Sequence, residues 1–163
     1  MEVTKKIIGN DVLIGEVRKL LLEGRRVTLK VKGVSMLPFI VGDRDSVLLE
    51  QSSSYKVGDI VLAEIQPDRY VLHRIFAVEG EKVILMGDGN CYGTEQCTMR
   101  DVLGKAITIF FNGKDVNPYS MSQRRRTRLW RSLLPIRRYL LAIMRRTGII
   151  PRYAYKDINN NIK

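Results

Sequence analysis

Residues 70–78 read Tyr70-Val71-Leu72-His73-Arg74-Ile75-Phe76-Ala77-Val78. In an extended chain successive side chains point to opposite faces, so Val71, His73 and Ile75 share one face while Leu72, Arg74 and Phe76 share the other. Working outward, further short runs rich in Val, Ile, Leu and Phe occupy Arg26 to Val31, Asp45 to Leu49, Asp59 to Ile65, Lys82 to Met86 and Val102 to Phe111. Clusters such as Val41-Gly42-Asp43 and Gln51-Ser52-Ser53-Ser54 separate them. Strands at this spacing predict a mainly β core, an antiparallel sandwich or partly closed barrel. Ahead of it, Asp11 to Glu23 places Val12, Leu13, Val17, Leu20 and Leu21 near helical spacing. That predicts a packing helix with Asn10 or Asp11 as its N-cap and Gly24 as its stop.

The chain has 163 residues, close to one domain plus an extension, and charge marks where the extension begins. Residues 1–117 hold 16 Lys+Arg and 16 Asp+Glu, whereas residues 118–163 hold 12 basic residues and a single acid, Asp157. The whole excess of +11 therefore sits in the tail, and the division falls at 1–117 and 118–163. Within the tail, Gln123 to Arg146 carries nine arginines and no acid. Leu129, Trp130, Leu133, Leu134, Ile136, Leu140, Leu141, Ile143 and Met144 recur there at helical spacing, and Pro135 either breaks this segment into two helices or starts the second. Three readings compete for it: an in-plane anchor on an anionic membrane, a nucleic-acid arm, and a helix packed on the β core with solvated arginines. The wide Leu and Ile face counts against nucleic acid. The last residues, Asn159-Asn160-Asn161-Ile162-Lys163, are polar enough to be read as disordered.

The chain has one histidine, His73, and a serine in the compact turn Gly33-Val34-Ser35-Met36-Leu37-Pro38. A serine hydroxyl attacks poorly near neutral pH unless a base takes its proton, and imidazole is the usual base. Any serine–histidine chemistry must run through His73. Against this stands a purely structural histidine in an apolar strand, and for Ser35 a simple surface loop. Pro38 makes the serine segment a rigid turn rather than helix, and Met36, Leu37 and Phe39 argue against its full exposure. Arg74 points away from His73, and its expected role is a structural ion pair with Asp59 or Asp88.

Four motifs occur in order: Gly33-Val34-Ser35-Met36-Leu37-Pro38, Gly58-Asp59-Ile60-Val61, His73-Arg74-Ile75 and Gly87-Asp88-Gly89-Asn90. Over residues 25–110 this arrangement resembles the serine peptidase superfamily that contains signal peptidase I and the self-cleaving SOS repressors. It resembles most the variant in which histidine replaces the usual general-base lysine. The resemblance implies Ser35 as nucleophile, His73 as general base and Asp88 as the acid that orients the imidazole. Histidine-type relatives carry a further aspartate after this turn, where the present chain reads Cys91-Tyr92-Gly93-Thr94-Glu95. Glu95 is the available stand-in. Gly33 replaces the serine that some signal peptidases use for the oxyanion, so the hole would be built from backbone N–H groups, chiefly that of Ser35, with Gly33 supplying the turn geometry. Met36, Leu37 and Phe39 correspond to the edge that meets substrate or lipid in relatives.

No run reaches the roughly 18 apolar residues of a spanning helix, and the N-terminus leads no signal-peptide-like stretch. The expected location is cytoplasmic, or peripheral at the inner membrane face, with a peptide or leader precursor as substrate. Only 32 residues precede Gly33, too few for a DNA-binding domain plus cleavage segment, so a self-cleaving repressor is disfavoured. Cys91 and Cys97, with one histidine, are too few for a zinc site; free thiols and no cofactor are expected, with redox control of the adjacent site as a minor alternative. The reading is a serine endopeptidase working by acyl transfer. The alternative is a catalytically silent binding domain of the same fold whose basic tail contacts membrane or nucleic acid.

Overall fold

A computed structural model describes residues 10–151. Helix α1 (Asn10–Leu22) is followed by eight strands: β1 (Val27–Lys30), β2 (Ser46–Glu50), β3 (Ile60–Gln66), β4 (Arg69–Glu79), β5 (Lys82–Met86), β6 (Glu95–Thr98), β7 (Val102–Phe111) and β8 (Lys114–Val116). Two helices, α2 (Met121–Ser132) and α3 (Arg137–Arg146), close the described chain, joined by a short 3-10 turn at Leu134–Ile136. The expected mainly β class holds. All strands join one antiparallel sheet in the order β1-β2-β7-β3-β4-β5-β6, with β8 on β7.

Register shifts at Leu48/Leu49, Leu62/Ala63, Glu64/Gln66 and Ile75/Ala77 bend the strands that carry them. The sheet curls enough for β6 to approach β3, which is not its hydrogen-bonded neighbour. Alternation then sorts the side chains as the sequence predicts. Leu62 and Leu72 join a core with Val17, Leu21, Leu49 and Ile60, whereas Val61, Val71 and Ile75 join a second with Val83, Leu85 and Val102.

Helix α1 lays Val17 and Leu21 into the first core, and Gly24 ends it as expected. With φ +74, Gly24 takes the left-handed position from which its N–H donates to the Leu21 carbonyl and that of Arg25 to the Leu20 carbonyl, at 2.9 and 3.0 Å. The side chains of Val12 and Leu13, the capping role of Asn10 or Asp11, and the Asn159–Lys163 end lie outside the described residues and side chains.

Strands β6 and β8 are absent from the sequence reading because neither carries an apolar run. Glu95-Gln96-Cys97-Thr98 is extended because β5 offers it an edge, pairing Leu85 with Glu95 and Lys82 with Thr98.

The tail packs on the core. Trp130, Leu141 and Ile150 are buried with Leu37 and Val41, while Phe39, Leu133, Leu140 and Met144 pack around them. Ser120 caps α2 through its side chain, which accepts from the Gln123 N–H. Pro135 lies in the 3-10 turn between the helices, so the proline divides the tail into two helices rather than opening α3. The arginines are not all solvated: Arg137 is only 4% exposed. Leu129, Ile136, Tyr139 and Ile143 remain exposed.

Candidate active site

His73 sits mid-strand in β4, opposite Val61 of β3, and its strand parity points it into the face that holds Val71 and Ile75. It is 4% exposed. Its Nδ1 lies 2.9 Å from Glu95 Oε2, which β6 delivers from across the sheet. A neutral imidazole with Nδ1–H donating to Glu95 leaves Nε2 as an unprotonated acceptor. Burial lowers the His73 pKa below its usual 6.5, and the nearby Glu95 and Asp88 carboxylates only partly oppose that shift. At neutral pH the ring is therefore uncharged, the form in which it can accept a proton.

Asp88, the acid expected to orient the imidazole, is occupied elsewhere. Its two oxygens accept from Arg74 Nε at 2.9 Å and Nη2 at 2.7 Å, a bidentate pair that is almost fully buried. Arg74 Nη1 also donates to the Gly58 carbonyl at 2.8 Å. Burial works against the guanidinium charge, but Asp88, with smaller contributions from Tyr119 and Asp59, more than offsets it and the Arg74 pKa is raised. The structural ion pair expected of Arg74 is thus made, with Asp88 rather than Asp59. Asp59 instead accepts from the Lys56 N–H and pairs with Lys105 at 3.5 Å. The carboxylate bonded to the imidazole is that of Glu95. Parity separates the two pairs: His73 and Arg74 are neighbours in sequence and must face opposite sides of the sheet.

Ser35 lies in a tight turn over residues 35–39 and is partly buried. Gly33 takes φ +77, a backbone conformation that side chains disfavour, so the glycine there serves the turn itself. Close approach is demanded elsewhere. A Cβ at Gly42 would lie 2.2 Å from the Gly33 carbonyl oxygen, and one at Gly87 would lie 2.3 Å from that of Ser35. The Gly89 N–H donates to the same Ser35 carbonyl at 2.7 Å. The Gly87–Asn90 turn follows Met86, which pairs with Arg74, so backbone contact locks the serine turn onto the end of β5 beside the histidine strand. Among the described residues no hydrogen bond engages the Ser35 hydroxyl or N–H, or His73 Nε2.

The expected substrate edge needs correcting in part. Met36 and Leu37 are 2% and 1% exposed and point into the cores, because the turn must bury them to be held in place. Phe39 is half-buried, edge-on to Trp130 at 6.3 Å between centroids.

The tail also reaches the site. Trp130 Nε1 donates to the Asp88 carbonyl at 2.7 Å, and Arg137 Nη1 donates to the Asn90 carbonyl at 2.8 Å, so α2 and α3 hold both halves of the Gly87–Asn90 turn. Sequence reasoning missed both contacts; the one available signal was a lone Trp in an otherwise cationic segment. Cys91 and Cys97 are free thiols. Burial pushes the Cys97 thiol up to about 11, far from a reactive thiolate, which counts against redox control there. Among the described residues no cluster of metal-ligating side chains occurs, and no helix is long and apolar enough to cross a membrane.

Comparison with known proteins agrees with this architecture. The model of the Peptidase S24-like family matches residues 15–107, from α1 into β7. A LexA repressor from Herpetosiphon aurantiacus is 32% identical over 83 residues, which are 51% of this chain and 34% of the repressor. The chain thus matches about a third of that relative's length, and the match to the family model ends before the basic tail. The match covers more than half of the sequence and includes the Ser35, His73 and Glu95 segments, and on that basis the chain belongs to the Peptidase S24-like family.

Proposed function

We propose that the protein is a serine endopeptidase that cleaves a peptide or protein precursor, with Ser35 as nucleophile, His73 as general base and Glu95, in place of Asp88, as the orienting carboxylate. The observation that carries this reading is the part-buried His73–Glu95 hydrogen bond of 2.9 Å in a family of serine peptidases. His73 Nε2 takes the proton as Ser35 Oγ attacks the scissile carbonyl, and Glu95 stabilises the imidazolium that forms. The Ser35 N–H, unused within the fold, donates to the oxyanion in the turn shaped by Gly33. The imidazolium then protonates the leaving amine, and a water activated by His73 hydrolyses the acyl-enzyme.

Two measurements test this. A fluorophosphonate should label wild-type protein at Ser35 on peptide mapping, and His73→Ala should abolish that labelling. Incubation with small peptide precursors, read by mass spectrometry, should give cleavage that Ser35→Ala and His73→Ala each remove, with the double variant little worse than either single one. Unchanged cleavage by His73→Ala would overturn the mechanism.

A second reading is favoured by the exposed Leu129, Ile136, Tyr139 and Ile143 among the tail arginines. With the buried half of the helices fixed on the core, this outer stripe suits an anionic membrane surface better than nucleic acid, and it can accompany catalysis or, in a silent domain, replace it.

A further inference from the structure

Between the sheet and α2 lies a cavity of about 310 Å³, and neither Ser35, His73 nor Glu95 lines it. Its lining includes six cations, Lys56, Arg74, Arg124, Arg128, Arg131 and Arg137, and two carboxylates, Asp59 and Asp88. Both carboxylates are already engaged, Asp88 by Arg74 and Asp59 by Lys105. Among the described residues no carboxylate pairs with Arg124, Arg128, Arg131 or Arg137. Arg137 is the most telling of them. It is 4% exposed, two of its nitrogens donate to the Asn90 and Trp130 carbonyls, and its buried Nε has no hydrogen-bond partner. A buried guanidinium with no carboxylate paired to it is costly, and burial lowers its pKa, a shift the nearby Asp88 charge only partly opposes.

The remaining wall is apolar and aromatic. Ile75, Phe76, Met86 and Trp130 contribute to it, and the Arg131 guanidinium already stacks over Phe76 at 4.1 Å. We propose that this cavity binds a small organic phosphate, its dianion held among Arg128, Arg131 and Arg137 and its apolar part against Phe76 and Trp130. Several arginine forks converging on one space suit a phosphate, which offers three oxygens and two charges, better than a carboxylate. The volume matches the lower end of small-molecule sites, roughly 300–1,000 Å³. The proposal stands apart from the peptidase reading. It does make the occupant a neighbour of Gly87 and Asp88, whose turn braces Ser35.

Calorimetry and thermal melting of the full chain with phenylphosphonate test it, with benzyl alcohol as the uncharged ring probe and inorganic phosphate as the ring-free one. Phenylphosphonate should bind one to one and raise the melting temperature, and benzyl alcohol should do neither. Inorganic phosphate should bind more weakly than phenylphosphonate. The Arg128→Gln/Arg131→Gln variant should bind about tenfold or more weakly, whereas Arg125→Gln/Arg126→Gln, equal in charge but outside the cavity, should shift affinity by less than about twofold. No binding at millimolar phenylphosphonate would overturn the proposal, as would equal losses in the two double variants. Equal binding of benzyl alcohol by the unaltered protein would overturn it without any substitution.

Discussion

Replacing Trp130 tests whether the tail is part of the folded core. Its indole is 8% exposed among Leu37, Val41, Leu141 and Ile150, meets Phe39 edge-on, and donates to the Asp88 carbonyl at 2.7 Å. Trp130→Ala removes that packing and the hydrogen bond together, and a buried Trp→Ala change costs about 3–5 kcal/mol. For a chain of this size each kcal/mol lowers the melting temperature by about 2–4 °C, so a fall of about 6–20 °C is expected. Trp130→Phe keeps most of the apolar contact and loses the donor, which should cost about 1 kcal/mol, or about 2–4 °C. Differential scanning fluorimetry or urea unfolding reads both. Because Trp130 is the only tryptophan, the intrinsic emission of the wild type reports on this one position and should be blue-shifted in buffer without lipid. An exposed-indole spectrum, or a melting temperature for Trp130→Ala within about 2 °C of wild type, would refute the packed tail.

Other consequences follow for the same molecule. If His73 is the base, peptidase activity should show an acid limb with an apparent pKa below 6.5. Glu95→Gln should move that limb to still lower pH, since Glu95 raises the His73 pKa, and should cut kcat by roughly 10²-fold or more; an unmoved limb would count against the pairing. The same depressed pKa makes stability fall with acid. The unfolded state takes up the His73 proton first, so stability is lost as pH drops below about 6.5 towards the folded-state pKa, and His73→Gln should flatten that part of a urea-midpoint profile. Gly87→Ala should destabilise by about 1–3 kcal/mol, its Cβ being forced to 2.3 Å from the Ser35 carbonyl oxygen. Gly15→Ala, in open space on α1, should instead stabilise by about 0.5–1 kcal/mol in the same melting assay. On the membrane reading, the protein should co-sediment with anionic vesicles less as salt rises, and Ile136→Ser/Ile143→Ser should weaken this without lowering the melting temperature. Binding to duplex DNA but not to vesicles would reverse that reading. Truncation after Pro118 should cause aggregation, because it uncovers Leu37 and Val41.

Much of the core was legible because its signals are local. Period-two alternation around His73, the breaks at Val41-Gly42-Asp43 and Gln51-Ser54, and the Gly24 stop depend on neighbours in sequence, and the strands they imply form with small boundary shifts. The opposite facing of His73 and Arg74 follows from backbone geometry alone. Which acid meets the histidine was not legible. Asp88 and Glu95 are both carboxylates downstream of β5, and the course of the chain after β5 separates them: Asp88, in the turn, falls on the Arg74 side, while β6 pairs with β5 and carries Glu95 back to the His73 side. Nothing in Glu95-Gln96-Cys97-Thr98 announces a strand, because its extended form is imposed by an open sheet edge. The tail divides in the same way. Its charge, its helical period and its break at Pro135 are properties of the sequence. That Trp130 and Leu141 turn inward while Ile136 and Ile143 stay out depends on the hydrophobic surface that Leu37 and Val41 offer, and that surface exists only once the serine turn has folded against the sheet.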